Sequence, residues 1–172
     1  MMIDMLMWLI GLVRLAHALL GVLLVAALFG RWVSLSHAER AARRNNVPAL
    51  QALLGASSVF ERLVIQSSVG VLVLGLVTAV GQGYPLLGFL QGGSSNWLLV
   101  SLLLFLSTLL LVPLVFLPKG RVFGVALEET LRVGRVSPAL NGAFADAATR
   151  AAHGYEFAVM LVVLALMIAK PF

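Results

Sequence analysis

Cysteine is absent from the chain, which excludes disulfides, thiolate metal sites, iron–sulfur ligation and a cysteine nucleophile together. Charge is nearly as scarce. Charged residues make up 11% of the sequence, 7 acidic side chains stand against 12 Lys and Arg, and histidine occurs 3 times. Any chemistry therefore falls to histidine, arginine and a few carboxylates. Portable catalytic patterns are missing as well: there is no nucleophile elbow, no phosphate-cradling glycine loop and no HExxH zinc helix, which leans the chain away from enzymes. What is abundant is apolar surface. Hydrophobic residues reach 61% and mean hydropathy is +1.04, far above what a soluble domain carries, so the composition requires a membrane protein.

Four apolar stretches, at residues 5–29, 63–80, 97–117 and 151–169, each approach the roughly 20 residues that a spanning helix needs. They predict an all-α fold: a transmembrane antiparallel four-helix bundle forming a single integral membrane domain over 1–172. The first stretch does not read as a secretory signal, because it lacks a basic start and carries Arg14 inside its apolar run.

Arg31, Arg40, Arg43, Arg44 and Arg62 fall between the first two spans, and Lys119, Arg121, Arg132, Arg135 and Arg150 between the last two. Residues 81–96 carry no charge and the N-terminal segment only Asp4. The positive-inside rule then places both basic loops in the cytoplasm and both termini outside. Trp8, Tyr84 and Trp97 fall at the outer interface and Trp32 and Tyr155 at the inner one, where amphipathic rings belong. Orientation accounts for most of the basic residues, so the net charge of +5 does not point to nucleic acid. Arg40, Arg43 and Arg44 suit anionic lipid headgroups, or simply form a solvated basic loop.

Asn46 with Pro48, and Ser137 with Pro138, each pair a capping side chain with a first-turn proline, so long helices are expected over 48–80 and 138–169. Each would project beyond the hydrocarbon layer. Within residues 121–132, Phe123, Ala126, Leu127 and Leu131 share one helical face, which suits a helix lying on the inner surface or one packed across the ends of the bundle. At an offset near ninety residues, Trp8 aligns with Trp97, Gly30-Arg31 with Gly120-Arg121 and Pro48-Ala49-Leu50 with Pro138-Ala139-Leu140. This matches a parallel repeat of two helical hairpins.

The unusual polar point is in the first span. Arg14 and His17 share a face with Gly11 and Gly21 one turn to either side. An arginine inside a span costs about 2.5–3.5 kcal/mol, so Arg14 either turns into the bundle or snorkels to the outer surface. His17 needs partners, and can ligate haem iron. Ser67, Gly70, Leu74 and Thr78 follow helical spacing in the second span and offer buried polar or packing points. Glu61, Arg62, His153 and Glu156 gather at the inner ends of spans two and four, which predicts an inner-face charge cluster. His153 is too far down the bundle to share an iron with His17, which lies about 18 Å along its helix from Phe29.

The first-span pattern Leu15, His17, Leu19, Gly21, the basic linker, the uncharged outer turn, the Trp97-led third span ending VPLVFLPKGR and the terminal LMIAKP, with Met167, Lys170 and Pro171, together resemble the bacterial predicted integral membrane proteins of domain of unknown function family 2269. That resemblance implies a four-helix inner-membrane protein and carries no assigned reaction. More distantly, His17, Arg31 and His37-Ala38-Glu39 look similar to HemJ-type protoporphyrinogen oxidases, and the general plan to the CopD-type copper-resistance membrane domain. Two functions remain open. One is a non-catalytic protein assembling with itself or a membrane partner, with Arg14 and His17 as a buried polar point. The other is a haem b- or porphyrin-binding redox protein using His17 as axial ligand and Arg14 to hold a propionate.

Overall fold

The computed structural model describes residues 2–93 and 96–171; Ser94 and Ser95 of the expected outer turn lie outside these, as does the side chain of Asp4. No strand occurs among the described residues. The helices are α1 (Met2–Arg43), α2 (Val47–Gly81), α3 (Trp97–Leu111), α4 (Leu117–Val133), α5 (Pro138–Phe144) and α6 (Ala147–Ala169). A 3-10 turn (Gly88–Gln91) precedes α3, and a π turn (Val112–Phe116) joins α3 to α4 without leaving helical backbone. Four of these runs are long and apolar enough to cross a membrane, and the fold is an all-α bundle compatible with four transmembrane helices.

Capping chemistry sets the turns. Asn45 takes a left-handed conformation (φ 53°), and the Asn46 side chain then accepts the Ala49 N–H at 3.1 Å to start α2. Gly134 (φ 73°) ends α4 and Ser137 accepts the Leu140 N–H at 3.1 Å to start α5. The two turns touch: Val136 N–H donates to Asn45 Oδ1 at 2.8 Å, and Leu50 and Leu140, both fully buried, meet in one cluster.

Two expectations change. The helix expected over 138–169 breaks at Ala145, because Asp146 accepts the Thr149 N–H at 2.9 Å and begins α6 at Ala147. Residues 121–132 do not form a separate surface helix but continue the third span as α4. Their buried positions are Ala126 and Thr130, with Phe123 and Leu127 half-buried, while Leu131 faces outward. Thr130 is preferred inside because its hydroxyl accepts the Ser137 N–H at 3.1 Å.

At 1.5 Å per residue the 42 residues of α1 run roughly 63 Å, about twice the hydrocarbon thickness. The excess lies at the end holding the α1–α2 turn, α4 and α5, called here the basic end; the opposite end holds both termini. Water reaches the basic end, so Ala38, Ala42, Leu50, Ala126 and Leu140 cluster there by hydrophobic burial. Lipid offers no such drive between spans, and close packing takes over. α1 and α2 keep a single antiparallel register, with Ile10 beside Gly81, His17 beside Gly75, Leu20 beside Gly70 and Phe60 against Gly30. α6 packs on α3, and α1 and α6 join the two hairpins; among the described residues the backbones of α2 and α3 scarcely approach. The helices thus follow the lateral order α2, α1, α6, α3. Leu24, Ala27, Val64, Phe105, Val159 and Met160 fill the middle.

Candidate functional site

Two polar places interrupt the apolar interior, one on each side of that middle cluster. Toward the terminal end a partly open cavity of about 420 Å³ lies where α2 and α3 stand apart. Arg14 and His17 of α1 line it, with Gly75 and Thr78 of α2, Trp97, Ser101 and Phe105 of α3, and Met167 and Lys170 at the end of α6. His17 is fixed from behind: its Nδ1 lies 3.0 Å from the Val71 carbonyl, to which it donates. A carbonyl accepts only, so the neutral ring carries its proton on Nδ1 and keeps a free lone pair on Nε2. Gly75 makes room for the ring, since a Cβ there would lie 2.9 Å from His17 Cε1.

Lys170 closes the terminal end of this cavity. It caps α6 in a left-handed conformation (φ 44°), unusual for a residue with a side chain. Its Nζ donates to the Tyr84 hydroxyl at 3.2 Å and sits 5.0 Å from the Tyr84 ring centre and 5.3 Å from that of Trp97. Tyr84 and Trp97 meet edge to face at 5.4 Å. Trp97 is therefore buried against the cavity, whereas Trp8 is exposed. Thr78 is 9% exposed and its hydroxyl has no hydrogen-bond partner among the described residues, which leaves it an uncompensated polar group in the α2 wall.

The second polar place is an ion cluster toward the basic end. Arg31, 4% exposed, donates to Glu61 of α2 at 3.3 Å and to Glu156 of α6. Its guanidinium lies 5.8 Å from the Phe116 ring centre, and the other partner of that ring is His153, stacked at 4.8 Å. His153 Nδ1 is 3.9 Å from Glu156. Pro113 explains why Phe116 can reach: it has no N–H to give to the helix, and the π turn that absorbs the loss resets the register of the residues after it.

Of the sequence candidates, Arg14, His17 and Thr78 come together at the cavity. Ser67 is buried but donates to the Leu63 carbonyl of its own helix at 2.5 Å, and Gly70 is a close-approach point for Leu20. Gly11 and Gly21 have no neighbour that a Cβ would meet within 4 Å. Glu61, His153 and Glu156 share the ion cluster, while Arg62 is exposed and Arg31 supplies its cation. His37 is exposed and bonded to the Val33 carbonyl of its own turn, at 2.8 Å, and Glu39 pairs with Arg43 and Arg150. Gly75, Tyr84 and Lys170 also line the site; the sequence places Tyr84 at the outer interface and Lys170 in the terminal motif, but links none of the three to Arg14 and His17. Lys170 had a signal, since a lone lysine ends the apolar run 157–169.

No group of three or more His, Cys, Asp or Glu able to hold a bare metal ion occurs among the described residues. No curated protein and no solved structure matches the chain. Residues 11–171 match the family model described as predicted integral membrane protein (DUF2269), and the chain belongs to that family.

Proposed function

We propose that this integral membrane protein binds a haem- or porphyrin-class tetrapyrrole in the cavity between its two hairpins, with His17 as the axial ligand. The observation that carries the reading is the His17 hydrogen bond to Val71. Ligating histidines characteristically donate their second nitrogen to a carbonyl, which fixes the tautomer and raises the basicity of the ligating one. Support comes also from the volume, about 420 Å³, within the ~300–1,000 Å³ of small-molecule sites. Leu72, Leu98, Phe105 and Met167 supply an apolar lining for a flat apolar body, and Arg14 a charge for a propionate. A bound haem would supply one-electron chemistry; the chain supplies the axial nitrogen, the acid-binding cation and the exclusion of water.

The reading further places the basic end in the cytoplasm of a bacterial inner membrane, because α4, α5 and the α1–α2 turn carry most of the arginines. There Arg40, Arg43 and Arg44 face anionic headgroups. The test is the visible spectrum of the mildly solubilised protein, oxidised and reduced, after expression with adequate haem. A Soret band that His17→Ala removes, with membrane insertion unchanged, is the expected result. A blank spectrum at adequate haem supply would replace this reading with a non-catalytic protein that assembles with itself or with a membrane partner.

A further inference from the structure

We infer that the terminal end of the cavity is a two-point acid-recognition site, in which Lys170 and Arg14 hold the carboxylates of an amphipathic diacid whose apolar body passes in from the lipid between α2 and α3. The inference rests on the proposed use of the cavity and deepens it by naming the ligand class, but it does not depend on iron.

Three independent observations converge. First, two permanent cations line one largely apolar cavity. Both residues are exposed where they border this apolar wall, so an anion can reach either one, and two cations at one cavity favour an anionic partner. Second, Lys170 is held rather than left to wave. A backbone conformation that side-chain-bearing residues seldom adopt turns it back from the end of α6, and the Tyr84 hydroxyl with the Tyr84 and Trp97 rings fixes its ammonium over the opening. None of these neighbours is an anion, so the charge is solvated but not neutralised by them. Third, Thr78 presents a buried hydroxyl with no partner in the same cavity wall. A ligand oxygen reaching it would satisfy a group that otherwise costs the fold free energy.

The route follows from the packing order. The backbones of α2 and α3 stay apart while both line the cavity, so among the described residues its side between them is not closed by direct helix packing. An amphipath can then slide in with its apolar body at span depth and its acids at the terminal end, where Lys170 and Arg14 wait. Arg14 is one turn nearer that end than His17, which suits acids at the opening and the body alongside the imidazole.

The experiment uses the full chain in a neutral detergent, titrated with metal-free protoporphyrin IX and, separately, with its dimethyl ester, read by quenching of tryptophan fluorescence. The diacid should bind at least about tenfold more tightly than the ester, the gain expected of a charge-assisted contact. Lys170→Gln should remove most of that preference and Lys170→Arg restore it, and excess phosphatidic acid should not displace the diacid. His17→Ala should keep the preference while abolishing any haem Soret band, so failure of iron ligation and failure of acid recognition give different results. Equal binding of diacid and ester, an undiminished preference in Lys170→Gln, no binding of either porphyrin, or displacement by phosphatidic acid would each overturn the inference.

Discussion

Arg31 of α1 and Glu156 of α6 are ion-paired across the seam where the two hairpins meet, and the arginine is almost completely buried. Glu61 completes the contact from α2, so one guanidinium ties three helices at the level where the bundle leaves the apolar middle. The apolar cluster between this pair and His17 separates the two polar places: they lie 14 residues apart on α1, roughly 21 Å, with Leu24, Ala27 and Leu28 between. The arrangement therefore separates the polar cavity from the ion cluster, rather than lining a continuous polar path.

Removing one partner of a buried pair leaves the other charge uncompensated, at a cost of about 3–5 kcal/mol. Arg31→Ala should lower stability on that scale, measured by unfolding in mixed micelles. Glu61 is 47% exposed, so Glu61→Gln should cost under about 1 kcal/mol. A double-mutant cycle should find stronger coupling between Arg31 and Glu156 than between Arg31 and Glu61, and the opposite order would contradict the assigned geometry.

The glycines of α1 and α2 separate into two groups that look alike in sequence. Gly75 faces the His17 ring at a distance a methyl cannot share, and Gly30 faces the Phe60 ring closer still; Gly11 and Gly21 face nothing. Gly11→Ala and Gly21→Ala should leave stability unchanged or raise it by up to about 1 kcal/mol, the helix propensity gain. Gly75→Ala and Gly30→Ala should lower the melting temperature, and Gly75→Ala alone should disturb ligand binding. A neutral Gly75→Ala would show that the ring is not seated there.

Long apolar runs and caps are local properties, and they were legible: the four spans, Asn46 before α2 and Ser137 before α5 follow from composition and turn chemistry alone. Arg31 was not. A basic residue directly after an apolar run reads as a loop charge, yet no breaker follows it until Asn45, and Ser34, Ala38, Ala41 and Ala42 continue a buried stripe that carries α1 onward. Its role is set by carboxylates 30 and 125 residues away, which no window contains. Leu131 shares an apolar helical face with Phe123, Ala126 and Leu127 in the sequence, but Thr130 takes the buried position through its bond to the next turn. The pairing of Lys170 with Tyr84 spans 86 residues and depends on how the hairpins meet.

Orientation can be checked by accessibility. Leu90 and Ala139 are both exposed and at opposite ends of the molecule. In the otherwise cysteine-free chain, an impermeant thiol reagent applied to intact cells should label Leu90→Cys and leave Ala139→Cys unlabelled until the membrane is opened. The reverse pattern would place the basic end outside and remove the basis for assigning anionic lipid to Arg40, Arg43 and Arg44.

Acid should loosen the start of α6 in a defined window. Asp146 caps that helix and accepts from Lys119 at 2.6 Å; the lysine contact, with the Thr149 hydrogen bonds, holds its carboxyl down to about 2 from an ordinary 3.8. The ionised form is thus favoured in the folded state. Its stabilisation is complete above the ordinary value and is lost as pH falls from about 4 through about 2. Asp146→Asn keeps a capping side chain but loses the charge. Wild type should melt above this variant at neutral pH, and the difference should close between about pH 4 and pH 2. Lys119→Gln, which removes the leading cause of the depression, should move that closure to higher pH. A difference that persists unchanged below pH 2 would mean that the ion pair does not contribute to holding α6 on α4.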